Sequence, residues 1–347
     1  TWYPAALAEK LTRVDLTTET DPTDPFEIFT LFNSRLGQPG CLTGSGWYYG
    51  LDNNQPSDRI DLLAVVMHEF GHGLGVTVNP TNGSSGVRAA GFPSVWERRM
   101  LDLTSGKRWI DMTNAERGAS ARNTNNLVWA GRQVTNVVPS VLDFGLRLRG
   151  LDPVLSAQEI FASAFGPAPR MGRTLRGYVV APQDGGGASP LDGCEPLLAD
   201  PAIYGNIVLV NRGNCTFAAK VKNAQDAGAS AVLIANNAAG PLSPGGADPT
   251  ITIPSFGITQ ALGSTLRASA VPPLVEVGLD PLQRSGTSAG YARLFAPNPY
   301  QSGSSVSHFD TTLTPSVLME PSITSDLTTK VKNPFDLTLG LLRDIGW

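Results

Sequence analysis

Histidine is scarce in this chain, with three in 347 residues, and so is cysteine, also with three. Charge is sparse as well, at 16% of residues, and it sums to -4. A protein that grips nucleic acid must neutralise phosphates, and nothing here does so. Thirteen of the 26 basic residues fall between Arg88 and Arg176, but they are scattered without interleaved aromatics and read as a solvated face. Long apolar runs are missing too. The longest, Leu62 to Met67, has six residues, against the roughly 18 that a membrane-spanning helix needs. The opening TWYPAALAEK has no basic stretch followed by an apolar one, so no signal peptide is visible. Cys194 and Cys215 stand 21 apart, close enough to staple one subdomain. Cys41 is left over, either as a buried thiol or as half of a bond whose partner lay upstream. An oxidising compartment is expected.

Small and turn-forming residues are plentiful, with Gly 37 and Pro 27. This suits a loop-rich secreted protein better than a helical cytosolic one. At about 100–200 residues per domain, the length predicts two domains, each able to bury a core.

The few histidines are placed in a telling way. Residues 67–75 read Met67-His68-Glu69-Phe70-Gly71-His72-Gly73-Leu74-Gly75, which is H-E-x-x-H followed by x-x-G. The preceding Asp58–Met67 is largely apolar and free of Gly and Pro, so a helix from about residue 59, capped by Ser57 or Asp58, is expected. Positions i and i+4 share a helix face, which aims His68 and His72 at one point. Neutral imidazoles at that spacing bind Zn2+ at about 2.0–2.1 Å. Glu69 sits one residue along, near the metal without being aimed as a ligand, where a general base belongs. A catalytic zinc takes three protein ligands, and one other histidine, His308, remains. Met319 follows it, between a short apolar run and Pro321.

His68-Glu69-x-x-His72-x-x-Gly75 resembles the metzincin clan of zinc metalloendopeptidases. In that clan a glycine ends the active-site helix and a later methionine forms the Met-turn. The usual third histidine would stand at position 78, which is Val78. Leishmanolysin-like metzincins share this departure, because an insertion separates the glycine from the third ligand. His308 followed by Met319 resembles that arrangement, with 235 residues between His72 and His308. The resemblance implies Zn2+ on His68, His72 and His308, Glu69 as general base, Gly75 ending the helix, Met319 in the Met-turn, and a C-terminal helix beneath the site. Many metzincins add a tyrosine near the Met-turn. Tyr48, Tyr291 and Tyr300 are the candidates here.

The intervening stretch has its own pattern. Ile207–Asn211 reads as a buried strand, Thr216–Asp226 as a helix and Ala231–Ala235 as a second strand, forming a βαβ crossover. Ile253–Ile258 and Gln260–Leu266 add a strand and a short helix. Gly193-Cys194, the run Gly205–Phe217, Lys220, and Ala227-Gly228-Ala229 before AVLIANN resemble the protease-associated (PA) domain. The resemblance implies a Cys194–Cys215 disulfide and a module that binds substrate or gates access to it. The core likeness covers about 193–266, and flanking strands extend the insert to 145–289.

The reading is therefore an α+β protein. A metzincin-like zinc protease domain with a mixed sheet, residues 1–144 and 290–347, is interrupted by an α/β PA domain. Asn333-Pro334-Phe335-Asp336 is expected to open the C-terminal helix, with Leu337, Leu341, Leu342 and Ile345 on its apolar side. Trp47-Tyr48-Tyr49 is expected as a strand ahead of the active-site helix. The expected activity is hydrolysis of protein or peptide substrates by a secreted zinc endopeptidase. One alternative is a gluzincin with Glu97 or Glu116 as third ligand. Another is a PA-based binding protein with a degenerate site. Ca2+ could bind near Asp21, Asp24 or Asn53 and Asn54, although no spaced loop supports it.

Overall fold

A computed structural model describes residues 1–16, 26–56, 58–238, 240–322 and 327–347. The chain divides into two compact units. Residues 1–143 and 284–347 make one, and residues 144–283 make the other.

The first unit begins with α1 (Ala5–Thr12), β1 (Trp47–Tyr48), β2 (Ile60–Asp61) and α2 (Leu62–Gly73). It continues with β3 (Met100–Asp102), α3 (Asn114–Ser120), β4 (Leu127–Trp129) and α4 (Arg132–Val141). The inserted unit carries β5 (Phe144–Asp152), β6 (Val154–Glu159), β7 (Phe161–Ala162), β8 (Leu175–Val180) and β9 (Ile207–Asn211). After these come α5 (Phe217–Asp226), β10 (Ala231–Ala235), β11 (Ser255–Ile258), α6 (Gln260–Arg267) and β12 (Leu274–Arg284). The first unit resumes with β13 (Ala292–Arg293) and ends with α7 (Thr338–Ile345).

Helix α2 starts later than its sequence suggests. Ile60 and Asp61 pair in parallel with Trp47 and Tyr48, and the Ile60 amide donates to the Gly46 carbonyl. This pairing holds the backbone extended as far as Asp61. The Asp61 carboxylate then caps the helix, accepting from the Leu63 and Ala64 amides at 2.8 and 3.3 Å. Asp61 is therefore the cap in place of Asp58, and the helix opens at Leu62; Ser57 lies outside the described residues. The C-terminal helix also opens later than expected, at Thr338. Residues 332–336 instead form a turn, with the Phe335 amide on the Lys332 carbonyl. The Asp336 carboxylate receives the Thr338 amide and so serves the first turn of α7.

A single apolar core holds the first unit, with Trp96, Trp109 and Trp129 fully buried beside Phe309, Met319 and Leu341. Here α4 packs on α7. Asp344 of α7 accepts from the Trp129 indole and from the Gln133 and Val134 amides. Its carboxylate thus satisfies two of the orphan donors at the start of α4 and complements that helix dipole.

The inserted unit is built on a sheet with strand order β6-β5-β12-β8-β9-β10-β11-β7. Its centre, β8 to β11, is parallel. Strands covered on both faces read as unbroken apolar runs, and Ile207–Val210 and Ala231–Ala235 do so. Ile207, Leu209, Ala231 and Leu233 enter one cluster, with Leu262 and Leu266 of α6. Val208, Val210, Val232 and Ile234 enter another, with Val221 and Ala224 of α5. Period-two alternation thus sends neighbouring residues to opposite faces.

Candidate metal centre

Helix α2 presents His68 and His72 on one face, and the loop after β13 brings His308 to meet them. The three Nε2 atoms lie 3.1–3.2 Å from one another. Each ring is held from behind by a backbone carbonyl. His68 Nδ1 is 2.7 Å from Leu318 O, His72 Nδ1 is 2.6 Å from Val76 O, and His308 Nδ1 is 2.7 Å from Ser304 O. A carbonyl only accepts, so each Nδ1 carries the proton and each Nε2 offers a lone pair. Three lone pairs aimed at one another repel unless a cation stands between them. Nitrogens bound to zinc at about 2.0–2.1 Å in a tetrahedral site sit about 3.3 Å apart, so the donor set fits the ion. A carbonyl behind each ring is also the usual way in which a ligating tautomer is fixed.

Burial favours the neutral, ligating form of His68 and His308. It pushes His308 down to about 3, with the neighbouring His72 adding to the shift. His68 is lowered by burial as well, partly opposed by its Leu318 carbonyl.

Glycine and methionine shape the floor. At Gly75 φ is +117°, which glycine adopts at little cost. A Cβ there would meet Pro4 Cγ at 2.8 Å and Ile345 Cδ1 at 3.0 Å. The turn at Gly75 returns the chain so that the Val76 carbonyl faces His72. Met319 is fully buried, and its Sδ lies 2.5 Å from where a Cβ on Gly71 would stand. Gly71 was not singled out by the motif, whose x positions accept any residue. Asp336 was not singled out either. Its Oδ2 accepts from the Leu318 amide at 2.7 Å, fixing the peptide whose carbonyl holds His68. Nothing in the local sequence marks it.

Glu69 is half-buried beside His68, close enough to act on its charge. Glu97 and Glu116 stand elsewhere. Glu97 is fully buried and accepts from Thr81 Oγ1, the Ser94 amide and Arg88. Glu116 closes a capping box on α3 and pairs with Lys107. Among the described residues neither joins the histidine group. Of the tyrosines, Tyr48 donates to Asp52, and the Tyr291 carbonyl receives the Thr287 amide. Tyr300 lines a cavity of about 470 Å³ that reaches His72. Thr77, Asn82, Ser302 and Ser307 share that wall, and among the described residues no charged side chain does.

In the inserted unit Cys194 and Cys215 are disulfide-bonded, with Cα atoms 5.7 Å apart. Cys41 is a free, half-buried thiol receiving Asn33 Nδ2. Asn53 sits in a turn and donates to the Leu327 carbonyl, whereas Asp21 and Asp24 lie outside the described residues. Among the described residues no helix is long and apolar enough to cross a membrane.

A family described as the PA domain matches residues 175–266. Residues 175–266 are a PA domain. Signal peptide peptidase-like 2 of Arabidopsis thaliana is 42% identical over 84 residues, 23% of this chain and 15% of that protein. Vacuolar-sorting receptor 1 of Pisum sativum is 37% identical over 124 residues, 32% of this chain and 20% of that protein. The chain therefore spans a fifth or less of these curated relatives. A solved zinc aminopeptidase from Bacillus subtilis is 21% identical, with a TM-score of 0.31, over 42% of this chain and 36% of that one. The likeness to these proteins is local, covering a third of this chain or less. The PA domain occupies the inserted unit, and the three histidines all belong to the other.

Proposed function

We propose that this protein is a secreted zinc-dependent endopeptidase of metzincin plan, with His68, His72 and His308 as ligands and Glu69 as general base. One observation carries the reading: three Nε2 lone pairs converge at 3.1–3.2 Å while every Nδ1 is committed to a carbonyl. Zinc, when bound there, supplies a Lewis acid that polarises the scissile carbonyl and acidifies water. The chain's own groups do the rest. Glu69 takes a proton from the attacking water as its oxygen bonds to the carbonyl carbon, then delivers it to the amine as the C–N bond breaks. The cavity beside His72 receives a substrate side chain, and its uncharged hydroxyl and amide wall leaves the reacting groups as the local charges. Met319 and Asp336 keep the ligands in place. The disulfide supports an oxidising, extracellular setting.

Casein hydrolysis with and without 1,10-phenanthroline, followed by zinc restoration, tests the reading. Mass spectrometry of the products separates internal cleavage from removal of single N-terminal residues. Likeness to sorting receptors favours a second reading, a peptide-binding protein without hydrolysis. A zinc-loaded protein that binds casein peptides and leaves them intact would establish that second reading instead.

A further inference from the structure

The PA domain contains a second cluster of ligand-type groups that the peptidase reading does not use. Oxygens of Asp184, Asp192 and Glu195 lie within 4.8 Å of one another. This is no exposed acidic patch, because Asp184 is 4% exposed and Asp192 1%. The Asp184 carboxyl stands within hydrogen-bond reach of the Asp192 carboxylate. The single Cys194 amide is shared between them, 3.1 Å from Asp184 Oδ2 and 3.0 Å from Asp192 Oδ1. Asp184 Oδ1 and Glu195 Oε2 are buried and meet no hydrogen-bond donor. An ionised oxygen left that way is costly, and native structures supply it with a partner.

Lys220 is the nearby cation, and it is fully buried. Its Nζ donates to the Asp192 backbone carbonyl at 2.7 Å and to Cys194 Sγ at 3.2 Å. It attracts all three carboxylates from a distance but forms no ion pair with them among the described residues. One ammonium against three carboxylates leaves the cluster two charges short.

We propose that Asp184, Asp192 and Glu195 form a calcium site in the PA domain. Hard carboxylate oxygens, with no histidine or thiolate among them, select Ca2+ or Mg2+ over zinc. Ca2+ binds oxygen at about 2.3–2.6 Å, so two oxygens on one ion stand at most about 5.2 Å apart. Mg2+ demands a near-ideal octahedron and sheds its waters reluctantly, whereas Ca2+ accepts the irregular geometry of carboxylates carried on a loop, which makes calcium the better fit here. The glycine-rich loop allows the approach, since a Cβ on Gly187 would lie 2.5 Å from the Glu195 carboxylate oxygens. Filling the site ties this loop to the strand-bearing core through Cys194, whose amide serves Asp184 and Asp192 and whose sulfur is bonded to Cys215.

The 347-residue chain, stripped with EGTA and desalted, is titrated with CaCl2 and separately with MgCl2 by calorimetry. Asp184→Asn and Glu195→Gln are titrated alongside. One calcium per wild-type chain is expected, at about the 10⁻⁴–10⁻³ M dissociation constants of extracellular modules, with magnesium weaker. Glu195→Gln should bind calcium roughly tenfold more weakly, as expected when one of the charged ligands that set affinity is lost. Glu195 is only half-buried, so this variant keeps the test open if Asp184→Asn fails to fold. Absence of calcium uptake by wild type would show that a proton shared by Asp184 and Asp192 resolves the crowding, and would overturn the proposal. Uptake undiminished in both variants would overturn it equally, by placing the ion elsewhere.

Discussion

Each of the three histidines spends one ring nitrogen on a carbonyl and keeps the other for the common point, so the site is specified atom by atom. Glu69 is the one acidic group of the motif and is not needed to hold metal. Glu69→Gln should therefore keep one zinc per chain while hydrolysis falls by about 10²–10⁴-fold. Metal analysis beside a casein assay checks this, and near-normal turnover would remove Glu69 from the mechanism. His308→Ala should lose most of the bound zinc after dialysis, since two histidines remain where a catalytic site needs three ligands. Glu97→Gln makes the contrast. Its carboxylate accepts from Thr81, Ser94 and Arg88, and an amide there turns an acceptor into a buried donor. It should lower stability by about 1–3 kcal/mol and leave zinc stoichiometry at one. Loss of zinc from Glu97→Gln with retention in His308→Ala would restore a glutamate third ligand.

At the scale of elements, α2 is fixed to the turn beneath it by one close approach. Gly71 and Met319 Sδ meet where no Cβ fits, so the helix and the Met-bearing turn pack at a set distance. Gly71→Ala should destabilise the protein although alanine is the better helix former. Met319→Ala leaves a cavity and should cost about 2–5 kcal/mol. The double variant should cost less than the sum, because the added methyl enters the space that the thioether vacates. A coupling of about 0.5–3 kcal/mol from denaturant unfolding is expected. Strict additivity would show that Gly71 tolerates a side chain and that the methionine does not set the approach.

The whole molecule is two cores on one chain. Each has its own apolar clusters, and the disulfide lies wholly within residues 144–283. The Cys194–Cys215 bond closes a loop with a sequence separation of 21, which stabilises by about 3 kcal/mol in the chain-entropy model. Calorimetry should show two transitions, and reduction should lower the one assigned to the inserted unit and leave the other in place. Native thiol labelling should mark Cys41 alone before reduction. A shift in both transitions, or labelling of Cys194 or Cys215 without reductant, would contradict this division.

Short-range pattern was enough for the local pieces. The i, i+4 spacing in α2 put His68 and His72 on one face because helix geometry alone dictates it. The apolar runs 207–210 and 231–235 read as buried parallel strands because nothing polar interrupts them. Element starts were not legible in the same way. Asp61 caps α2 because residues 60–61 are drawn into pairing with β1, and Asp336 delays α7 because its carboxylate holds both Leu318 and Thr338. The β1–β2 pairing and the Asp336–Leu318 bond join separate segments, and local propensity does not report them. The assembled site belongs to the tertiary structure as well. His308 reaches His72 across 235 intervening residues, the Met319 thioether chooses Gly71, and carbonyls of Leu318, Val76 and Ser304 choose the tautomers. Sequence supplied residues of the right chemistry; packing alone decided which of them share a point in space, because that depends on how an entire core closes around them.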